Sequence, residues 1–148
     1  MERKEDKYYI RDGNGNVLAV YDEDGNQEYI NMIGSDVFGS YVPGEGYRYY
    51  VKDHLGSTRV VVDGSGNALD AYEYYPFGRI TRSLTSAGIE SDEKFTGKEL
   101  DNKNGERLYF FGARSYDSDL GRWTTVDPLS DLNPSVSPYI YAMNNPSI

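Results

Sequence analysis

The chain has 148 residues, enough for one hydrophobic core and not for two, with a formal net charge of −9 and no cysteine. No Lys/Arg cluster breaks the acidic background, which excludes a grip on a nucleic-acid backbone, and the missing cysteines exclude disulfides and thiolate metal sites. No run approaches the roughly 18 apolar residues of a membrane-spanning helix, and MERKEDKYYI has no apolar signal core, so neither membrane insertion nor an export signal of the chain's own is expected.

Residues 1–80 alternate aromatic or β-branched runs with Asp/Gly/Asn clusters, as in YYIRDGNGNVLAVYDEDGNQEYI. Residues 17–21 and 59–62 have strand composition, while GNG, EDGN and GSGN are turn spellings with Gly or Asn available for positive φ. The turn clusters return after ten residues, from Asp12 to Asp22 and from Asp53 to Asp63, which predicts one hairpin in about 20 residues. A lone hairpin is marginal in water, so successive hairpins are expected to pair into a continuous antiparallel sheet. Fifteen Tyr against five Phe make phenol rings a main source of apolar area, and such rings bury their faces while keeping a hydroxyl near a polar partner.

Residues 81–94, TRSLTSAGIESDEK, lack strand periodicity and read as an exposed loop. After them, 94–100 and 107–116 are predicted strands around a turn at 102–105. Ser137 before Pro138 has the spelling of a helix start, which predicts a short helix over 139–144.

The stretch 95–128, FTGKELDNKNGERLYFFGARSYDSDLGRWTTVDP, resembles the core segment of Rhs and YD-repeat proteins, with its FTG-K-E-x-D opening, its G-A-R-x-Y-D strand end and its L-G-R-W before an Asp-Pro. YVKDHLGSTRVVVD (50–63), YEYYPFGRI (72–80) and SPYIYAMNNP (137–146) resemble the same family's flanking elements. The resemblance implies an all-β fold, an antiparallel twisted sheet of YD-type hairpins curling around a core block, with a short helical or irregular C-terminal segment. It also implies a single domain over 1–148, made of hairpins (1–80), a loop (81–94) and the core block (95–148).

In function it implies a structural scaffold, part of a shell that encloses and delivers a C-terminal toxin, here truncated before the toxin. The expected partners are the rest of such a shell or another copy of the chain, in a secreted or cell-surface place within a larger bacterial system. Such a scaffold needs no enzymatic activity and no cofactor. A stand-alone binding or adhesion module that contacts glycan is the alternative, and an aspartyl self-cleaving core lacking its second Asp is another.

For self-cleavage, the resemblance to Rhs cores and to the related Tc-toxin shell subunits puts the first catalytic carboxylate on Asp127 and a basic companion on Arg122. Two carboxylates sharing a site suit this chemistry, because their repulsion keeps one protonated while the other activates water. The Gly-rich step expected after the first Asp-Pro is replaced by LSDLNPSVS, and the sequence reaches Ile148 without the second Asp-Pro. Asp131 lies too near Asp127 in the chain to stand in for it. The competing reading is structural, with Asp127 capping a turn before Pro128.

Four other patterns invite chemistry. Asp12, Asn14, Asn16 and Glu23 have the spacing of a calcium loop, but Val17 stands where that loop needs Gly, and a hairpin turn uses the same spelling. His54, the only histidine, is followed by Ser57 without any orienting motif. The Tyr pairs 8/9, 49/50 and 74/75 could stack on sugar rings, although adjacent residues of a strand face opposite sides. Arg114, between aromatic strands, is expected to pair with a neighbouring carboxylate.

Overall fold

A computed structural model describes residues 2–4, 7–86, 91–101 and 107–146. Among them the fold is all-β, with two antiparallel sheets. The first has β1 (Glu2–Lys4), β2 (Lys7–Arg11), β3 (Val17–Tyr21), β4 (Gln27–Ile33), β5 (Val37–Val42), β6 (Gly46–Lys52), β7 (Thr58–Asp63), β8 (Ala68–Tyr74) and β9 (Ile80–Thr85), in chain order. The second has β10 (Leu100–Asp101), β11 (Leu108–Phe110), β12 (Ser115–Asp117) and β13 (Arg122–Trp123), also in chain order. Contacts divide the chain into two compact units, Met1–Val51 with Val60–Leu69, and Lys52–Arg59 with Asp70–Ile148.

In the first unit three hairpins turn on one five-residue device, spelled Asp-x-x-Gly-Asn. Asp12 Oδ1 accepts from the amides of Asn14 (2.8 Å) and Asn16 (2.9 Å), and its Oδ2 accepts from the Asn16 side-chain amide (2.8 Å). Asp22 with Asn26 and Asp63 with Asn67 repeat these bonds. The fourth residue, Gly15, Gly25 or Gly66, has φ of 83 to 88°, where a side chain would be strained. The carboxylate thus replaces water at the turn's open amides and sets where each strand begins.

Registers Tyr9↔Val20↔Tyr29 and Asn31↔Ser40↔Arg48 place these residues on one face, where Tyr9, Val20, Asn31, Ser40 and Arg48 are buried. Arg48 pairs with Glu45, and the Tyr50 hydroxyl donates to Ser40 Oγ at 2.9 Å. The registers Ile10↔Ala19↔Ile30↔Tyr41↔Tyr47 line the opposite face, which is largely exposed. The sequence-predicted hairpins are therefore present, and Val17–Tyr21 has the boundaries its composition predicts.

The second unit is built on rings. Leu100↔Tyr109↔Tyr116↔Trp123 forms one cross-strand row over all four strands of the second sheet. Phe95 packs against that row, with ring centroids 5.7 Å from Tyr109 and 6.3 Å from Tyr116, and Tyr74, Phe111 and Tyr141 close the cluster. Each fully buried ring contributes on the order of 2 kcal/mol through area alone, and the tilted and edge contacts add to it. The phenols are anchored at their far ends: the Tyr109 hydroxyl donates to Gly78 O (3.0 Å), Tyr116 to Phe77 O (2.8 Å) and Tyr74 to Thr58 O (2.9 Å). Burial pushes the Tyr74 and Tyr116 hydroxyls well above the usual phenol range, so they remain protonated donors.

Four expectations from the sequence are corrected here, the first being that the single strand expected over 107–116 is two, Leu108–Phe110 and Ser115–Asp117, paired as a hairpin. Residues 94–100 do not form a strand: Phe95–Gly97 is a 3-10 turn with Thr96 at φ 50°, because Phe95 must swing into the ring cluster, Glu99 makes an isolated bridge with Glu93, and only Leu100–Asp101 belongs to a strand. The expected turn at 102–105 lies outside the described residues. Within 81–94, Ile80–Thr85 is a strand paired with β8, and Ser91 and Lys94 are buried, not exposed; residues 87–90 lie outside the description. Strand β9 is exposed on nearly every residue, so it needs no hydrophobic alternation and shows none. In place of a helix over 139–144, Ala142–Asn144 is a single turn with φ of 46 to 59°, left-handed, directly after Tyr141 enters the ring cluster.

Gly78 is a tightly packed point of the second unit. It sits at φ 86°, and a Cβ there would lie 2.4 Å from the Phe95 ring. Gly78→Ala is expected to cost about 2–4 kcal/mol in urea unfolding, from strain plus overpacking, whereas Gly64→Ala, with nothing within 4 Å, is expected to stay within about 0.5 kcal/mol. The turn carboxylates make a second prediction. Hydrogen bonds from Asn16, Asn26 and Asn67 hold Asp12, Asp22 and Asp63 below their ordinary value of 3.8. A carboxyl depressed by folding stabilises the fold above its unfolded value and loses that contribution as pH falls through the folded one. Stability measured against pH is therefore expected to be level down to about pH 5 and to fall below it, with a shallower fall after Asp12→Asn and Asp63→Asn.

Candidate functional site

The residues from Arg114 to Asp127 fold back on themselves, since Thr124 N donates to Ser115 O at 3.0 Å and Trp123 N to Tyr139 O at 3.0 Å. This brings Arg114, which follows β11, beside Asp127, which follows β13. The Arg114 guanidinium lies 4.2 Å from the Trp123 ring centroid, and its Nη1 is 2.8 Å from Asp127 Oδ2. A planar cation stacked on indole and paired with a carboxylate has little freedom left, which is the arrangement arginine suits better than lysine. The Arg114 side chain is 19% exposed and Asp127 is 36% exposed, so water still reaches the carboxylate.

The other oxygen, Asp127 Oδ1, accepts from Leu129 N at 2.9 Å, and Asp127 O accepts from Ser130 N at 3.0 Å across Pro128. Asp127 N donates to Pro138 O at 3.0 Å. The carboxylate therefore has two structural duties, capping a Pro-containing turn and fixing Arg114. Arg122, the basic companion expected from the sequence, projects exposed from β13, which pairs with β12 and meets Ile140 in an isolated bridge. Asp131 is exposed in the 3-10 turn Ser130–Leu132. The geometry thus joins Asp127 to Arg114, which lies over Trp123. The aromatic-strand position of Arg114 was legible in the sequence; that its carboxylate would be Asp127 was not.

The other sequence candidates are distributed differently. Asp12, Asn14 and Asn16 form the hairpin turn described above, and no group of three or more His, Asp or Glu side chains stands in metal-binding proximity among the described residues. His54 is exposed, whereas Ser57 is buried with its Oγ accepting from Thr96 N at 2.9 Å. The turn at 53–57 is the same device with Ser in place of Asn. Burial works to raise Asp53, but the Ser57 amide, Arg59 and the Leu55 amide outweigh it and hold the carboxyl low. Arg59 also lies over the Tyr74 ring at 5.1 Å. Each Tyr pair divides between faces: Tyr9 is more buried than Tyr8, Tyr50 than Tyr49, and Tyr74 than Tyr75.

No family model matches the chain. It is 35% identical to salivary gland surface protein 1 of Aedes aegypti over 94% of its own length, which is 4% of that protein. It is 29% identical to toxin subunit YenC1 of Yersinia entomophaga over 68% of the chain and 10% of the relative. The crystal structure of TcdB2-TccC3-TEV superposes with a TM-score of 0.68 at 18% identity, covering 95% of the chain and 8% of that structure, a likeness of fold. The chain thus spans only a small part of the curated relatives it matches.

Removal of either partner of the Arg114–Asp127 pair is expected to destabilise the second unit. A double-mutant cycle with Arg114→Ala and Asp127→Asn should return a coupling of about 1 kcal/mol. Arg114→Lys should recover only part of it, because ammonium does not stack flat on Trp123, while Arg122→Ala should change stability by less than about 0.5 kcal/mol.

Proposed function

The chain belongs to the Rhs and YD-repeat proteins, and on that premise we propose that it is a structural scaffold, a section of the β-sheet wall of a toxin-associated shell. The observation that carries this reading is the meander itself. Strands paired in chain order form a strip that grows by one hairpin at a time and leaves, among the described residues, an edge at each end that another strand can join. The similarity to YenC1, a toxin subunit, and the fold shared with TcdB2-TccC3-TEV support a toxin-associated setting.

In this reading the chain works with the remainder of such a wall or with another copy of itself, and the wall, not the chain, encloses cargo. Asp127 serves as a structural carboxylate and Arg122 as a surface cation. Both carboxylate oxygens of Asp127 are engaged in holding the core block closed, which favours scaffold over self-cleavage. The stand-alone adhesion module differs from the scaffold in what its edges do: a module closes its own sheet and stays monomeric.

Light scattering of the 148-residue chain over a range of concentrations separates the two. The scaffold reading expects a mass above that of the monomer that rises with concentration, as edges pair. A folded monomer at every concentration would overturn it.

A further inference from the structure

On the exposed face of the first unit, Tyr41 and Tyr47 are direct cross-strand partners in the β5–β6 hairpin. Their ring centroids lie 5.2 Å apart with the planes tilted by 55°, and Tyr41 is 37% and Tyr47 53% exposed. We propose that this pair is an oxidative modification site, at which a peroxidase using hydrogen peroxide joins the two rings through a carbon–carbon bond into dityrosine. The site lies wholly within one hairpin and is independent of whether the chain forms part of a shell.

Phenols are oxidised one electron at a time. Each ring gives up one electron and its hydroxyl proton, and the resulting phenoxyl radical carries much of its unpaired spin on the carbons beside the oxygen. Two such radicals combine at those carbons, Cε of one ring to Cε of the other, and the hydrogen on each of them moves to an oxygen and restores the phenols. The pair loses two hydrogen atoms in all, and hydrogen peroxide takes up the two electrons and two protons to become two molecules of water. The step needs two rings that are adjacent and open to solvent, which accepts the hydroxyl protons. Rings held side by side on one hairpin meet as an intramolecular pair, at an effective concentration far above that between separate chains.

Geometry selects this pair among the described tyrosines. Tyr116 and Tyr141 stand closer, at 4.2 Å, but Tyr116 is fully buried and its hydroxyl donates to Phe77 O at 2.8 Å, so no oxidant reaches it and the carbonyl is too weak a base to take its proton. Tyr72 and Tyr74 lie 6.4 Å apart, with Tyr72 buried. Tyr47 and Tyr49 are both exposed, but they stack along one strand at 6.5 Å with planes 25° apart, which turns ring faces and not Cε atoms toward each other.

The hairpin also gains most from such a bond. Its turn, Val42 to Gly46, is closed by Glu45 N donating to Val42 O at 3.1 Å, with Gly44 and Gly46 at φ of 82 and 99°. The spelling VPGEG includes no Asp, so no carboxylate collects the amides as it does at Asp12, Asp22 and Asp63. A covalent bridge between Tyr41 and Tyr47 locks the β5–β6 register at the mouth of this turn.

The test is treatment of the 148-residue chain with horseradish peroxidase and hydrogen peroxide, followed by mass spectrometry of the species that runs as monomer under denaturing conditions. Cleavage after Glu45 separates Tyr41 from Tyr47, so the fragments that hold them remain joined only where rings are bonded. The expected result is dityrosine fluorescence, a monomer lighter by two hydrogen atoms, and these fragments recovered as one species with the bond assigned to Tyr41 and Tyr47 on fragmentation. That species is expected to be lost in Tyr41→Phe and in Tyr47→Phe and kept in Tyr139→Phe. Phe retains the ring at an exposed position, and circular dichroism reports that each variant is folded. Absence of dityrosine, bonding spread over other tyrosines, bonding only between chains, or a joined species that survives in folded Tyr41→Phe would overturn the proposal.

Discussion

The contact on which the second unit depends is Phe95 against Gly78. The ring occupies the volume that any side chain at 78 would need, and Gly78 takes a φ of 86° that other residues resist. Once Phe95 is seated there, its ring meets Tyr74, Tyr109, Tyr116 and Tyr141, and the hydroxyls of Tyr109 and Tyr116 reach the carbonyls of the same Phe77-Gly78 step. One turn thus receives both a ring and two hydrogen bonds. Four of the cluster's rings can be phenols, Tyr74, Tyr109, Tyr116 and Tyr141, because each hydroxyl has a destination, which removes the penalty of burying it.

The first unit solves a different problem. Its strands are short and its two faces unequal, so register cannot come from a deep apolar core. Where the Asp-led turns occur it comes from them: an Asp carboxylate collects the open amides and an Asn or Ser closes the ring of bonds four residues on. A hairpin with its register set locally does not need its neighbours to specify it, which suits a strip assembled one hairpin at a time. The same device at 53–57 substitutes Ser57 for Asn, and Arg59 takes the carboxylate oxygen that the Asn amide would have occupied.

The candidate site shows how one residue type changes meaning with its surroundings. Asp127 stands in an Asp-Pro spelling that the family resemblance associates with cleavage, yet in the fold it caps a turn and anchors Arg114 over Trp123. Arg122 lies one residue from Trp123 and has the sequence position of a companion, but strand alternation turns it to the exposed side. Arg114, thirteen residues from Asp127 in the chain, is brought beside it by the fold-back of β12 and β13. Distance along the chain is a poor guide to pairing across a hairpin. Pleat parity and register decide it.

What the sequence determined by itself is the local grammar. The Asp-x-x-Gly-Asn turns, the strand at Val17–Tyr21, the hairpin spacing and the all-β class follow from φ preferences and side-chain to backbone bonds that act within five residues. The family resemblance was legible for the same reason, since its motifs are turns and the rings beside them. What only the tertiary structure decided are the places where a distant ring overrules local preference. Phe95 pulls 95–97 out of a strand, Tyr141 precedes a left-handed turn where Ser137-Pro138 reads as a helix start, and β9 takes its shape from backbone pairing with β8 without any pattern of its own. Burial of a ring recovers more free energy than a short helix or strand can supply locally, and the partner that buries it is not written within reach of the segment that moves.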